Sequence, residues 1–365
     1  MAEKKLMKGN EAIAEAAIRA GLKFFAGYPI TPQSELLEYI SAKLPAAGGE
    51  FVQAESEVAA SNMIMGASIG GARCMTATSG PGLSLMAEVL ANLSEGSLPS
   101  VIIDVMRSQG NITPSQADYN YMTKSLGHGG MRGFVMAPST VQQAADMTFE
   151  AFDIADRYHT PVIILLDGMI GQMMEAVELP EPKTPEDLRG YVIPNGAKGR
   201  PRRFETASAL FYKGLPFEEA LDALSRDKAE MYLDWEKNEA RYKTFMMEDA
   251  EYAVVAYGSA ARIAIDAVRQ LREEGIMAGL FQPLTLFPFP GEAVAELASL
   301  KGTVTAEMVV PAQFDYDVVH YLPRGANHGC YARFGLPLEA RGIVEEVRRI
   351  VRNAENAAFC ERQGR

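Results

Sequence analysis

The first half of the chain alternates short apolar runs with amphipathic segments. Apolar residues recur at helical spacing between Ile13 and Ala20 and predict a helix over residues 10–23. Similar patterns predict strands at 23–26, 51–54, 73–78, 101–106, 134–137 and 162–166, and helices at 33–44, 56–67, 140–157 and from the turn at 79–82 to about residue 92. Strands that alternate with helices are typical of a parallel sheet with helices on both faces.

The pattern changes after residue 178. Residues 180–203 carry five prolines and many charges, which favour a linker or surface arm, and residues 217–247 have the pattern of a charged helix. A second unit begins near residue 251, with strands at 252–257, 278–281 and 302–306 and a helix at 260–274. We therefore predict an α/β protein in three parts, with a parallel-sheet domain at 1–180, an arm at 181–250 and a smaller α/β domain at 251–365.

Composition narrows the class of protein. The chain has 365 residues and a net charge of −12, and its short basic run at 198–203 is interpreted as a solvated loop, not as a nucleic-acid site. Its longest clean apolar run, 162–166, is far below the ~20 residues of a membrane helix. Residues 1–8 lack the apolar core of a signal peptide. We expect a cytoplasmic protein without nucleic-acid or membrane partners.

The three cysteines, Cys74, Cys330 and Cys360, are far apart in sequence. They are too few for a four-cysteine iron–sulfur cluster, and no CxxC pair is present. No metal site is therefore expected in this chain.

Ligand sites of parallel sheets lie beyond the carboxyl ends of the strands. This rule selects the loops at 27–32, 54–57, 78–82, 107–118 and 167–172.

Three of these loops carry residues suited to bind a ligand. The turn containing Gly80 opens a helix and can present backbone N–H groups, while Glu57 precedes small apolar residues that would keep water away from a proton-exchanging carboxylate. Arg107 follows a buried strand and can clamp a carboxylate. Each also has a structural interpretation, as a tight turn, a helix N-terminal acid or an ion pair.

Two nucleotide motifs are rejected. Residues 127–133 lack the third glycine of a dinucleotide fingerprint and follow no clear strand. Asp167-Gly168 with Asn195 imitates the GDG-and-Asn motif that binds diphosphate and Mg²⁺, but Leu166 occupies the place of the first glycine. A diphosphate–Mg²⁺ site is therefore not expected here.

Together the motifs resemble those of one known family. Tyr-Pro-Ile-Thr-Pro at 28–32, Glu-Ser-Glu-Val-Ala-Ala at 55–60, Thr-Ser-Gly-Pro-Gly at 78–82 and Arg107 stand in the order seen in the alpha subunit of 2-oxoacid:ferredoxin oxidoreductases. The runs at 114–119 and 167–175 look most like the branched-chain (3-methyl-2-oxobutanoate, or ketoisovalerate) type. The resemblance continues through 256–262 and 282–290.

The resemblance implies a fold and an activity. The fold would be a pyrimidine-type thiamine-diphosphate-binding domain followed by a smaller domain like the transketolase C-terminal one. The activity would be oxidative decarboxylation of a 2-oxoacid with coenzyme A, giving acyl-CoA, CO₂ and reduced ferredoxin.

The resemblance also implies residue roles. The residue matching Glu57 hydrogen-bonds N1′ of the thiamine aminopyrimidine. The residue matching Thr31 contacts both the substrate carboxylate and the cofactor, and the one matching Arg107 binds the substrate carboxyl or carbonyl group. Cofactor contacts are implied for the remaining members of the same motifs, Tyr28, Pro29, Ile30, Gly80 and Pro81.

The missing motifs are implied to lie on other subunits. A beta subunit would carry the diphosphate and Mg²⁺ motif and share thiamine diphosphate with this chain. Iron–sulfur clusters would lie on partner subunits, which include gamma and ferredoxin-like delta subunits, and ferredoxin would accept the electrons.

Two departures from the family pattern keep alternatives open. The stretch at 108–113 is shorter and poorer in glycine than in branched-chain relatives, so 2-oxoglutarate and pyruvate remain alternative substrates. Residues 308–313 replace an Asn-Met-Gly-Gln-like run of the family, so the family's residue roles are transferred less securely to the second domain. A non-catalytic, alpha-like scaffold is the alternative of another class.

Overall fold

The computed structural model describes residues 4–184, 187 and 209–362. Asn195 and the basic run at 198–203 lie outside the described residues. The strands are β1 (Lys5–Lys8), β2 (Phe24–Gly27), β3 (Glu50–Gln53), β4 (Cys74–Thr78), β5 (Ser100–Met106), β6 (Phe134–Met136), β7 (Pro161–Asp167), β8 (Met174–Val177), β9 (Tyr242–Phe245), β10 (Tyr252–Val255), β11 (Ala278–Pro283), β12 (Thr285–Phe287), β13 (Gly302–Glu307) and β14 (His328–Ala332).

The helices cover both faces of the sheets. They are α1 (Gly9–Arg19), α2 (Ser34–Lys43), α3 (Glu57–Ile69), α4 (Gly80–Glu95), α5 (Tyr119–Lys124), α6 (Val141–Tyr158), α7 (Gly168–Gln172), α8 (Phe217–Asn238), α9 (Gly258–Glu273), α10 (Gly291–Glu296), α11 (Phe314–Tyr321) and α12 (Ala340–Arg362).

The larger sheet has the order β12-β6-β7-β5-β4-β2-β3 and is parallel except for β12. Its central strands β4, β5 and β7 are fully buried, which explains their continuous apolar sequences. The second sheet has the order β14-β13-β10-β11-β9 and is parallel except for β9. The predicted α/β class with two parallel sheets is confirmed.

Sequence patterns missed several short strands. The helix predicted over 217–247 ends at Asn238, and residues 242–245 pair instead with the edge of β11. The 217–247 interpretation is therefore wrong at its C-terminal end, because pairing with a distant strand overrides local charge. The antiparallel pair of β1 with β8, and the strand β14, were not predicted either.

One strand from the C-terminal range joins the larger sheet, and the two sheets share a hydrophobic core. β12 comes from the range 251–365 but pairs with β6 of the first sheet, through Thr285 with Met136 and Phe287 with Val135. Trp235 of α8 is fully buried and packs edge-on against Phe134 and Phe287. The helix of the arm therefore docks against the edge of the larger sheet. The predicted domain boundaries at 180 and 250 stay a prediction.

Candidate active site

The loops selected from the sequence meet at one edge of the larger sheet. Because β2, β3, β4, β5 and β7 are parallel neighbours in that sheet, their carboxyl ends share an edge. The segments 28–32, 54–57, 79–82, 107–118 and 168–172 leave from those ends. The arrangement brings chemistry-bearing residues from five separate parts of the chain together.

Glu57 is a buried acid at this edge. It is the first residue of α3, whose N-terminus is capped by the Ser56 hydroxyl accepting from the Ala59 N–H at 3.2 Å. Glu57 is only 6% exposed, whereas Glu55 is exposed. Within the described residues, no group donates a hydrogen bond to the Glu57 carboxylate. The local helix start thus buries one acid and leaves its oxygens free for a ligand.

The first turn of α4 presses against this acid. A Cβ atom at Gly82 would lie 2.6 Å from Glu57 Oε1, so only glycine fits at that position. The hydroxyl oxygens of Thr78 and Ser79 are buried beside it and have no hydrogen-bond partner among the described residues. Buried polar groups are normally paired, so two unpaired hydroxyls beside a buried carboxylate mark this turn as unusual.

Arg107 and Thr31 are brought together across 76 positions of sequence. The Arg107 Nη1 donates to the Thr31 carbonyl oxygen at 2.9 Å. The loop around Thr31 is held in place because Gln33 Nε2 donates to the Tyr28 carbonyl at 3.0 Å and Asn10 Nδ2 donates to the Pro32 carbonyl at 2.7 Å. The Arg107 guanidinium therefore contacts the loop at 28–32, one of those that the sequence predicted to form the site.

The other residues predicted from the sequence belong to the same loops as Glu57, Thr31 and Arg107 or to the first turn of α4. Tyr28, Pro29 and Pro81 are exposed, and Ile30 and Gly80 are half-buried. A Cβ atom at Gly80 would lie 3.4 Å from Asp118 Oδ2, so the first turn of α4 has Glu57 on one side and Asp118 on the other.

Two aspartates at this edge were not singled out from the sequence. Asp104 is fully buried in β5, and burial raises its pKa well above the usual range, with the charge of Asp118 as a further cause. Burial also raises the pKa of Asp118 to about 6, against the opposing effects of a hydrogen bond from Asp104 and the charge of Arg107. The signal available in the sequence was a lone acid inside the apolar run 101–106.

An open groove of about 980 Å³ lies beside Thr31. Its walls include Ile112, Pro114, Met169 and Met173. Ile112 belongs to the shortened loop 108–113 and is 58% exposed. Lys8 also lines the groove, but its Nζ is paired with Glu35 at 3.1 Å. The groove therefore offers a largely apolar wall next to the Arg107–Thr31 contact.

The second unit holds the loop that follows Arg107. The buried Gln116 side chain donates to the Tyr257 carbonyl at 3.0 Å and accepts from the Met308 N–H at 2.8 Å. Lys124 forms an ion pair with Asp317 of α11. Sequence patterns missed Gln116, because its partners lie more than 140 positions away.

The Asp167 carboxylate is hydrogen-bonded to groups of its own chain. Its carboxylate accepts from the Ser259 N–H at 3.0 Å, the Ser259 hydroxyl at 2.7 Å and the Met169 N–H at 3.0 Å. The two bonds from Ser259 connect the end of β7 to the start of α9, and the Met169 bond caps α7. In the part of the chain that the structure describes, no three His, Cys, Asp or Glu side chains are placed to share a metal ion. No described helix has the length and apolar character needed to cross a membrane.

Two family models match consecutive parts of the chain. A family model described as pyruvate flavodoxin/ferredoxin oxidoreductase, thiamine diphosphate-binding, matches residues 15–243. A second, described as pyruvate:ferredoxin oxidoreductase core domain II, matches residues 250–325.

Curated relatives cover most of the chain. The chain is 45% identical over 297 residues to the ketoisovalerate oxidoreductase subunit VorB of Methanothermobacter marburgensis, which covers 80% of this chain and 83% of that protein. It is 40% identical over 296 residues to the 2-oxoglutarate synthase subunit KorA of Archaeoglobus fulgidus, with coverage of 80% and 84%. The resemblance predicted from the sequence motifs is confirmed.

Solved structures show the same fold. The 2-oxoglutarate:ferredoxin oxidoreductase from Magnetococcus marinus, solved with 2-oxoglutarate, coenzyme A and succinyl-CoA bound, superposes with a TM-score of 0.81 at 26% identity. The match covers 96% of this chain and 66% of that longer chain. A split-gene transketolase matches at a TM-score of 0.55 and 15% identity, which shows likeness of fold alone.

Proposed function

This chain belongs to the 2-oxoacid:ferredoxin oxidoreductase family, and we propose that it is the alpha subunit of an enzyme that decarboxylates a branched-chain 2-oxoacid oxidatively. Coenzyme A would take the acyl group and ferredoxin the electrons. The observation that carries the proposal is the buried Glu57 carboxylate, which has no donor among the described residues and lies against Gly82, at the same edge of the sheet as the Arg107–Thr31 contact.

The residues of this edge fit the aminopyrimidine half of thiamine diphosphate. Glu57 and the buried hydroxyls of Thr78 and Ser79 are polar groups without partners among the described residues, and Glu57 and Thr78 pack closely against Gly82. When bound, the cofactor supplies the carbon nucleophile that such decarboxylations need. Glu57 would hold a proton against a ring nitrogen, which is the role that a water-poor carboxylate serves well. Further contacts would come from the 28–31 loop and the α4 turn, namely Tyr28, Pro29, Ile30, Thr31, Gly80 and Pro81.

Arg107 would bind the substrate carboxylate, with Thr31 beside it. A guanidinium offers two parallel donors to a carboxylate, which fixes orientation as well as charge. The apolar groove wall formed by Ile112, Met169 and Met173 favours an aliphatic side chain. A second carboxylate, as in 2-oxoglutarate, would need a free cation, and the groove's Lys8 is already paired with Glu35.

A partner subunit would complete the cofactor site. Helices α3 and α4 expose Val58, Met63 and Leu85 next to Glu57, and no charged residue occurs from 58 to 72. An apolar helix surface of this kind is typical of subunit contacts. We place the diphosphate and Mg²⁺ motif on a beta subunit at this surface, and the iron–sulfur clusters on partner subunits, with gamma and ferredoxin-like delta subunits completing the complex.

The test is to co-express the chain with a beta-type subunit and screen 2-oxoacids with coenzyme A and a low-potential dye acceptor. We expect thiamine-dependent dye reduction, with the highest kcat/KM for 3-methyl-2-oxobutanoate. Dye reduction should stop when coenzyme A is omitted. A co-purified complex that fails to reduce the dye with every 2-oxoacid tested would contradict the proposal. A preference for 2-oxoglutarate would contradict the substrate assignment alone.

A further inference from the structure

Asp104 is a buried acid without a conventional partner. It lies in β5, in register with Thr78 of β4 and Leu165 of β7, and is fully buried. Neither of its carboxylate oxygens accepts a hydrogen bond from an N–H or O–H group of the described residues. Asp118 Oδ2 is also buried and also accepts no such hydrogen bond. Since buried polar atoms are rarely left unpaired, the two acids require a joint explanation.

One proton supplies that explanation. Ionised carboxylates only accept hydrogen bonds, so two ionised aspartates side by side would leave two buried charges and no bond between them. A single proton turns one acid into a donor and the other into its acceptor, and it halves the buried charge.

The surrounding charges decide which acid keeps the proton. The charge of Arg107 acts to lower the pKa of Asp118, whereas burial, and after it the charge of Asp118, raise the pKa of Asp104. Tyr121 of α5 and Tyr257 of the second unit also face Asp118, and Tyr257 additionally faces Asp104, Asp167 and Glu307. Because the cation stabilises the ionised form of Asp118, the proton belongs on Asp104.

We propose that Asp104 is a protonated acid that donates a hydrogen bond to Asp118, and that this pair positions Arg107 for the substrate carboxylate. Asp118 also lies against Gly80, so the pair connects the guanidinium to the first turn of α4. Neither aspartate is assigned a contact with substrate, so both are positioning residues. The inference rests on the proposed function, since it takes the role of Arg107 from there.

The proposal has a defined pH dependence. The pKa of Asp118 is raised to about 6. As pH falls through about 6, Asp118 gains a proton and loses the negative charge that faces Arg107. The KM for the 2-oxoacid should therefore rise below about pH 6, while kcat changes less.

Three variants in the co-expressed complex test the arrangement. The rise of KM at low pH is called the acid limb. Asp104→Asn keeps a donor toward Asp118 and should retain most of the wild-type kcat/KM, with the acid limb still near pH 6. Asp104→Leu removes the donor, and should raise KM about tenfold at neutral pH, the scale of an unpaired buried acceptor, and move the acid limb to higher pH. Asp118→Asn should raise KM at every pH and abolish the limb near pH 6.

A second measurement does not depend on activity. In the full-length chain at neutral pH, infrared difference spectra between wild type and Asp104→Asn should show loss of a protonated-carboxyl C=O band. Absence of that band overturns the proposal, as does an active complex in which Asp104→Asn and Asp104→Leu have the same KM and acid limb. If wild-type complex shows no oxoacid-dependent turnover, the proposed function fails, and the infrared result still decides the protonation of Asp104.

Discussion

Two buried glutamates occupy comparable places in the two sheets. Glu307 ends β13 at the carboxyl edge of the second sheet, and its carboxylate accepts from the backbone N–H groups of Gln313, Phe314 and Asp315 at 2.9, 3.0 and 3.0 Å. Glu57 lies at the carboxyl edge of the first sheet and receives no hydrogen bond from the described residues. Both are buried, so burial alone does not distinguish a structural acid from a functional one.

The two glutamates differ in which groups donate hydrogen bonds to their carboxylate oxygens. Three backbone donors of its own chain compensate Glu307 for the loss of water, so this acid holds the start of α11. Glu57 has lost water without such compensation, which a fold tolerates where a ligand completes the bonds. Asp167, with donors from Ser259 and Met169, belongs to the structural class.

The largest expected effect is on catalysis at Glu57. Glu57→Gln in the assembled enzyme should lower turnover by at least ~10²-fold, the usual scale for a proton-transfer group. The free energy of unfolding should stay within about 0.5 kcal/mol of wild type or increase, because no protein donor is lost. Steady-state kinetics and urea unfolding measure the two quantities.

Glu55→Gln is the matched control, since Glu55 is exposed two positions away. It should leave turnover nearly unchanged. Equal losses in the two variants would contradict the assignment of Glu57.

Arg107 provides the next test of the same edge. Arg107→Ala should raise the KM for the 2-oxoacid about 10- to 150-fold, because a charged hydrogen bond to a carboxylate stabilises binding by ~1.5–3 kcal/mol. Thiamine binding should change little. Arg107→Lys should recover only part of the affinity, because a point charge lacks the two-pronged contact. If KM stays at the wild-type value for every oxoacid, Arg107 is a structural residue.

Glu307 should behave in the opposite way to Glu57. Glu307→Gln replaces an accepting oxygen with an amide donor that faces backbone N–H groups, and should lower the free energy of unfolding by about 2 kcal/mol. Urea unfolding of the chain, followed by circular dichroism, measures this loss. An unfolding free energy equal to wild type would show that the proposed distinction between the two acids fails.

The smallest expected effect is at the contact between Asp167 and α9. Ser259→Ala removes the hydroxyl donor but keeps both backbone donors, so the free energy of unfolding should fall by about 1 kcal/mol. Ser41→Ala, which removes an exposed hydroxyl bond to the Glu38 carbonyl, is the control and should change it by less than about 0.5 kcal/mol. Similar losses in both would mean that burial does not strengthen the Ser259 bond.

The sequence by itself determined the α/β class and the position of the main strands. The runs at 73–78, 101–106 and 162–166 are long and apolar enough to predict buried parallel strands, and the structure places strands at 74–78, 100–106 and 161–167. Motif order also identified the family, because several short motifs in one order are far more specific than any one of them.

Only the tertiary structure decided which residues meet. The contact of Arg107 with Thr31, the approach of Asp118 to Gly80 and the pairing of β12 with β6 join segments far apart in sequence. Local periodicity shows which face of a strand or helix is buried, but it carries no information on the order of strands in a sheet. Likewise, whether a buried acid such as Glu57 or Glu307 is satisfied depends on backbone donors that only the folded chain brings to it.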